Sequence, residues 1–148
     1  MILALDYGEK NIGLALSDED EVFSFPVDVI ASAEMEKDIH MLEKKLPRFS
    51  KITEMIIGLP KNLKNEDTPQ TLKVRAFFQK VVQAWPNLKI SLVDERMTSA
   101  QHMKNVHSAG GNSKQARNQK DMYEAALLLE YYITLRKNEK EIQQIQDF

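Results

Sequence analysis

The chain has 148 residues, 43% hydrophobic and 28% charged, with a net charge of −2 and no cysteine. Disulfides and thiolate metal sites are thereby excluded, and no apolar run approaches the ~20 residues that a membrane span needs. The acidic balance argues against a general nucleic-acid coat protein, though not against a nuclease that meets phosphate through a metal.

Ile2–Leu5 and Ile12–Leu16 are apolar runs joined by the polar, Gly8-bearing stretch Asp6–Asn11, which predicts a β-hairpin. An acidic turn, Ser17–Glu21, leads to a third strand over Val22–Ile30, interrupted at Pro26 as suits an edge. From Met35 to Phe49 the period becomes helical, with Ile39, Leu42 and Leu46 on one side. Glu54–Pro60 reads as a buried strand ending at Gly58 and Pro60. Thr68–Pro69 reads as a helix cap with proline at the first helical position. That helix carries Leu72, Ala76, Phe77, Val81 and Ala84, and the strand Leu88–Val93 follows. Thr98–His107 is expected to be helical and Ser108–Ser113 a loop. The last helix is expected from about Asp121 through Leu135, with Glu124 and Glu130 solvated. The order β-β-β-α-β-α-β-α-α predicts an α/β fold: a three-stranded antiparallel meander, then parallel strands, in a mixed five-stranded sheet with helices on both faces. The length suits one domain, 1–148, with a polar tail over 139–148. The start, Met1–Asp6, has no basic region and meets an acid early, so a cytoplasmic protein is expected.

Three acids stand out. Asp6 ends an apolar strand, where a carboxylate is costly unless it is paired or binds metal. Capping of the turn at Gly8 is a compatible reading. Asp94 and Glu95 end a second strand; side chains alternate there, so one of the two is expected to share a site with Asp6. Alternation alone does not choose between them, and the extra methylene of Glu95 gives it the longer reach. Asp121 at a helix start is favourable with the helix dipole in any case. Two strand-end carboxylates and one at a helix start make the oxygen donor set that Mg²⁺ or Mn²⁺ needs for phosphodiester cleavage.

Between Arg96 and Lys120 there is no acidic residue, while Arg96, Lys104, Lys114, Arg117 and Lys120 are basic. A flexible basic loop beside an acidic site suits capture of a polyanion. Competing motifs fail. There is no GxGxxG or GxxxxGK[ST], no zinc spacing around His102 or His107, and no nucleophile elbow.

ALDYGEKNIGLALSD (4–18), IIGLPKNL (56–63), VDERMTSAQ (93–101) and KDMYEAALLLEYYI (120–133) resemble the four signature blocks of the YqgF/RuvX family, in order across almost the whole chain. The resemblance implies an RNase H-like fold and a bacterial cytoplasmic nuclease that matures the 5′ end of small-subunit ribosomal RNA precursor. Family members have also been proposed to resolve branched DNA. It matches Asp6, Glu95 and Asp121 to the catalytic, metal-binding acids, and it sets Gly58, Pro60 and Asn62 in a loop near the site. Arg96, Lys114, Arg117, Lys120 and Asn62 are the expected nucleic-acid contacts, and the protein is expected to act as a monomer or homodimer. Two stretches depart from the family: Lys64–Asp67 lacks the usual glycine, and Met122-Tyr123-Glu124 are bulky or charged where small residues are usual. The rival readings are a Holliday junction resolvase, which would be a C₂ dimer, and a non-catalytic RNA-binding module.

Overall fold

A computed structural model describes residues 1–95 and 114–146. Its strands are β1 (Ile2–Tyr7), β2 (Asn11–Ser17), β3 (Ser24–Ala31), β4 (Glu54–Leu59) and β5 (Lys89–Asp94). Its helices are α1 (Ser32–Lys37), α2 (Met41–Lys45), α3 (Pro69–Ala84) and α4 (Lys114–Gln146). The strands lie in the order β3-β2-β1-β4-β5, with β1 central. β1, β2 and β3 pair antiparallel, and β4 and β5 run parallel to β1. This is the expected mixed sheet in the RNase H-like arrangement, and it leaves the carboxyl ends of β1, β4 and β5 together at one end.

The central strands are apolar on both faces because helices cover both. On one face Leu3, Leu5, Ile12, Leu14, Met55 and Ile57 pack beneath α1, α2 and α3, with Met35, Leu42, Val74, Phe77 and Val81 inserted from the helices. On the other, Ile2, Ala4, Ala15, Ile56 and Val93 meet Ala125, Leu128 and Leu129 of α4. Ala4 and Ala15 are small and Gly13 lies against the helix backbone, so α4 approaches this part of the sheet closely.

The acidic turn after β2 is built by Asp18, whose Oδ1 accepts the amides of Val22 (2.8 Å) and Phe23 (2.9 Å). Those backbone bonds hold its carboxyl below the usual carboxylate range. They also spend the two amides on the turn, so β3 begins at Ser24 rather than Val22. Pro26 and a register shift opposite Leu14/Ala15 interrupt this edge strand, features that oppose pairing with another chain.

The helix expected over Met35–Phe49 is broken in two. Asp38 is extended, and its carboxylate holds the His40 amide (3.0 Å) and the Lys44 ammonium (2.8 Å). Leu46, which precedes Pro47, is extended as well, and a 3₁₀ turn at Phe49–Lys51 follows. Thr68 caps α3 as expected, exchanging bonds with Thr71 in a capping box. The expected helix over Thr98–His107 and the loop Ser108–Ser113 lie outside the described residues.

α4 differs most from expectation. It begins at Lys114, not near Asp121, and continues to Gln146, so the stretch 139–146 is helical. Lys114–Lys120, expected in part as a loop leading to the helix, is its first two turns. Far from the carboxyl ends of the strands, Glu54 starts β4 with only 5% exposure. It accepts a hydrogen bond from the Tyr132 hydroxyl and pairs with Arg136 (3.0 Å) and Lys89 (3.6 Å). This ionic cluster on a buried glutamate fastens the second half of α4 to the sheet.

Candidate active site

Strand alternation assigns each acid to a face. Ala4 faces α4, so Asp6, two residues on, does too. Val93 faces α4, and the Glu95 side chain, just past the end of β5, lies against Gly58, which shares its parity with Ile56 on that face. Asp94 shares its parity with Ile90 and Leu92, which pack with the opposite layer. On α4, Asp121 stands four residues before Ala125 and seven before Leu128, on the stripe that meets the sheet. Asp6, Glu95 and Asp121 therefore lie on one face, at the end where the apolar layer between sheet and α4 gives out.

Two glycines make the convergence possible. Gly13 pairs with Asp6 across β1 and β2. A Cβ on Gly13 would collide with the Asp121 carbonyl oxygen and lie 2.6 Å from the Asp121 carbonyl carbon, so the helix backbone rests on the bare strand. On the other side of Asp6, Gly58 is one step past the Leu5–Ile57 pair and is itself paired with Val93. A Cβ there would collide with Glu95 Oε1 and lie 2.7 Å from its Cδ. One glycine admits the helix and the other admits the glutamate.

Asp121 is thus an interior residue of α4, and the helix-opening role expected for it does not apply. Glu124, expected to be solvated, is 5% exposed, while Glu130 is exposed as expected. The burial follows from its position three residues after Asp121 and four before Leu128, at the edge of the sheet-facing stripe. Its sequence signal was available: a carboxylate flanked by Tyr123 and Ala125 at the spacing of the buried positions.

The loop after β4 is held from both sides. Asn62 Oδ1 accepts the amides of Lys64 (3.0 Å) and Glu66 (2.9 Å), and its backbone N–H donates to the Glu66 carbonyl (3.2 Å). Asn65 has φ +63°, so in the turn that lacks the family's usual glycine an asparagine takes the left-handed conformation. The Thr71 hydroxyl donates to the Pro60 carbonyl, and Gln70 Nε2 donates to the Tyr7 carbonyl (3.2 Å). The start of α3 therefore ties down the strand ends that carry Asp6 and Gly58.

Among the expected nucleic-acid contacts, Arg117 is exposed and Lys120 half-buried on α4, within one turn of Asp121. Lys114 is the first residue of that helix, and Arg96 lies outside the described residues. Asn62 is committed, through its carbonyl oxygen, to the loop.

All three converging acids are hard oxygen donors, the class that suits Mg²⁺ or Mn²⁺. The bare Gly58 and Gly13 leave room for the Glu95 side chain and the α4 backbone that carries Asp121. As they stand, no three histidine, aspartate or glutamate side chains among the described residues close into a cluster that could hold one. Among the described residues, no helix is long and apolar enough to cross a membrane.

The family model for RuvX, described as Holliday junction resolvase, matches residues 1–135. A protein of Corynebacterium jeikeium is 30% identical over 91% of this chain and 86% of its own length. A protein of Desulforudis audaxviator is 31% identical over 93% of this chain and 96% of its own length. One from Flavobacterium psychrophilum is 32% identical over 90% of this chain and 96% of its own length. Each carries the name "Putative pre-16S rRNA nuclease".

Proposed function

Because the chain belongs to the RuvX family, we propose that it is a cytoplasmic, metal-dependent nuclease that cuts precursor 16S ribosomal RNA to form its mature 5′ end. One observation carries the chemistry: Asp6, Glu95 and Asp121 share a face and an end of the sheet, with glycines at the two positions where a side chain would keep them apart. The names of the relatives supply the substrate.

Asp6, Glu95 and Asp121 would hold Mg²⁺ or Mn²⁺. When bound, such an ion neutralises charge on the phosphodiester and lowers the pKa of the attacking water. The chain's own groups do the rest. The tied strand ends keep the acids in register. Arg117 and Lys120, with Lys114 and Arg96 nearby in sequence, attract the phosphate backbone to an end of the molecule that its acids would otherwise make repulsive. Asn62 shapes the loop that borders the site.

A second reading, cleavage of four-way DNA junctions, is favoured by the family's description. Symmetric cutting of two strands would require a C₂ dimer. The test sets the purified protein and its Asp6→Asn variant against a precursor 16S fragment and a four-way junction, with Mg²⁺, with Mn²⁺ and with chelator. Cleavage of the RNA alone, lost with chelator and in the variant, is expected. Junction cleavage by a dimer would transfer the assignment to DNA. RNA binding without cleavage, unaffected by chelation, would make the protein a binding module.

A further inference from the structure

On the face of the sheet opposite Asp6, a cleft of about 220 Å³ opens between α1 and α3. Its floor is aromatic and its rim is charged with both signs. Tyr7, the residue after Asp6, lies with its ring 4.7 Å from that of Phe77, tilted by 38°. Lys73 and Lys80 stand on α3, four residues before and three after Phe77, so all three share one helix face. Glu9, beside Lys73, and Glu36, to which the Tyr7 hydroxyl donates, complete the charged lining.

The lining narrows the class of ligand. At this volume the cleft admits one flat ring system, below the ~300–1,000 Å³ of pockets for drug-sized ligands. A bare anion would meet two carboxylates as well as two ammonium groups, and a bare cation the reverse. A molecule presenting amino donors at one end and an anion at the other satisfies both, and an aromatic body suits Tyr7 and Phe77. Lys80 makes no ion pair among the described residues, and Lys73 only a long one to Glu9 (3.9 Å). Lys80 is thus available, and Lys73 is held only by that long contact.

We propose that the cleft between α1 and α3 binds a single nucleotide unit, with its base against Tyr7 and Phe77, its amino group toward Glu9 and Glu36, and its phosphate on Lys73 and Lys80. The nucleotide is either free in solution or one residue of the substrate strand, and only the second source rests on the nuclease reading above. Occupancy bears on the same strand end as the acids, since Tyr7 and Asp6 are adjacent.

The test uses the isotopically labelled full chain in chelator, followed by amide NMR. The probes are cytidine 5′-monophosphate, uridine 5′-monophosphate, inorganic phosphate and a pentacytidylate RNA. Cytidine monophosphate is expected to shift the amides around Tyr7, Lys73, Phe77 and Lys80 saturably, and to bind roughly tenfold tighter than the uridine nucleotide, which lacks the amino group. The double substitution Lys73→Glu/Lys80→Glu should weaken it by at least about tenfold. Ala76→Trp, at an exposed position of α3 in the cleft, should block it by filling the space. Asp6→Asn should leave it unchanged. Shifts with the RNA alone place the nucleotide in the substrate strand and support the site. No shift at these amides with either nucleotide or RNA overturns the proposal, whatever the cleavage assay reports. Phosphate binding as tightly as the nucleotides overturns it too, since no base is then being held. Nucleotide binding by an unsubstituted protein that cleaves neither substrate in Mg²⁺ or Mn²⁺ would sink the nuclease reading alone.

Discussion

The Glu95 side chain occupies the volume that a Cβ on Gly58 would claim, with its Cγ 2.8 Å and its Cδ 2.7 Å from that point. The obstructing atoms belong to the side chain of a half-buried residue, not to backbone. Gly58→Ala is therefore expected to change stability by less than about 1 kcal/mol. It should still lower the cleavage rate at least about tenfold, because the proposed ligand Glu95 is displaced from its place beside Gly58. Denaturation and single-turnover cleavage of the one variant check both halves.

Gly13 presents the opposite case. Its Cβ would meet α4 backbone, with the Asp121 carbonyl carbon at 2.6 Å and the Met122 nitrogen at 3.3 Å, and a helix backbone yields only by moving the helix. Gly13→Ala should destabilise the protein by about 1–3 kcal/mol, as overpacking does. A urea midpoint equal to that of the unsubstituted protein would show that α4 does not rest on this strand.

Glu95→Gln should lose both Mn²⁺ affinity in calorimetry and cleavage. Asp94→Asn should keep measurable amounts of each, because Asp94 shares its parity with Ile90 and Leu92 on the far face. A dead Asp94→Asn beside an active Glu95→Gln would move the site to the other face of β5.

Burial, first, and the hydrogen bond to Glu54 push the Tyr132 phenol up to about 12. A group whose pKa is raised by folding contributes stability that is complete below its unfolded value near 10 and is lost as pH rises toward 12. Tyr132 is only half-buried, so after discounting for solvent screening the contribution is on the order of 1 kcal/mol. Tyr132→Phe should remove that much of the fall in stability between pH 10 and 12. Identical pH profiles for the two proteins would refute the link.

Arg117→Ala and Lys120→Ala alter residues of α4 within one turn of Asp121, outside the buried core. Each is expected to weaken RNA binding at low salt and to reduce the slope of log affinity against log salt by about one. A slope unchanged in the double variant would remove this helix end from the path of the RNA.

Much of the molecule was legible in local pattern. The hairpin around Gly8, the edge strand with Pro26, the capped start of α3 and the apolar runs of β4 and β5 each carry their own signal within a few residues. So does the anomaly of Asp6, a carboxylate closing an apolar strand. The beginning of α4 carried no such signal. Lys114–Lys120 consists mostly of good helix formers but has no apolar stripe, so periodicity begins only where the helix reaches the sheet. Asp121 was legible as an acid of interest and misread as a helix start for the same reason. The choice of Glu95 over Asp94 depended on long-range packing: with both faces of β5 covered, alternation separates the two residues without saying which face is which. Only the docking of α4 on Ile2, Ala4, Ala15, Ile56 and Val93 makes one face that of Asp6, because a helix beginning at residue 114 must cross the sheet on one side or the other, and no spacing within β5 records which side it takes.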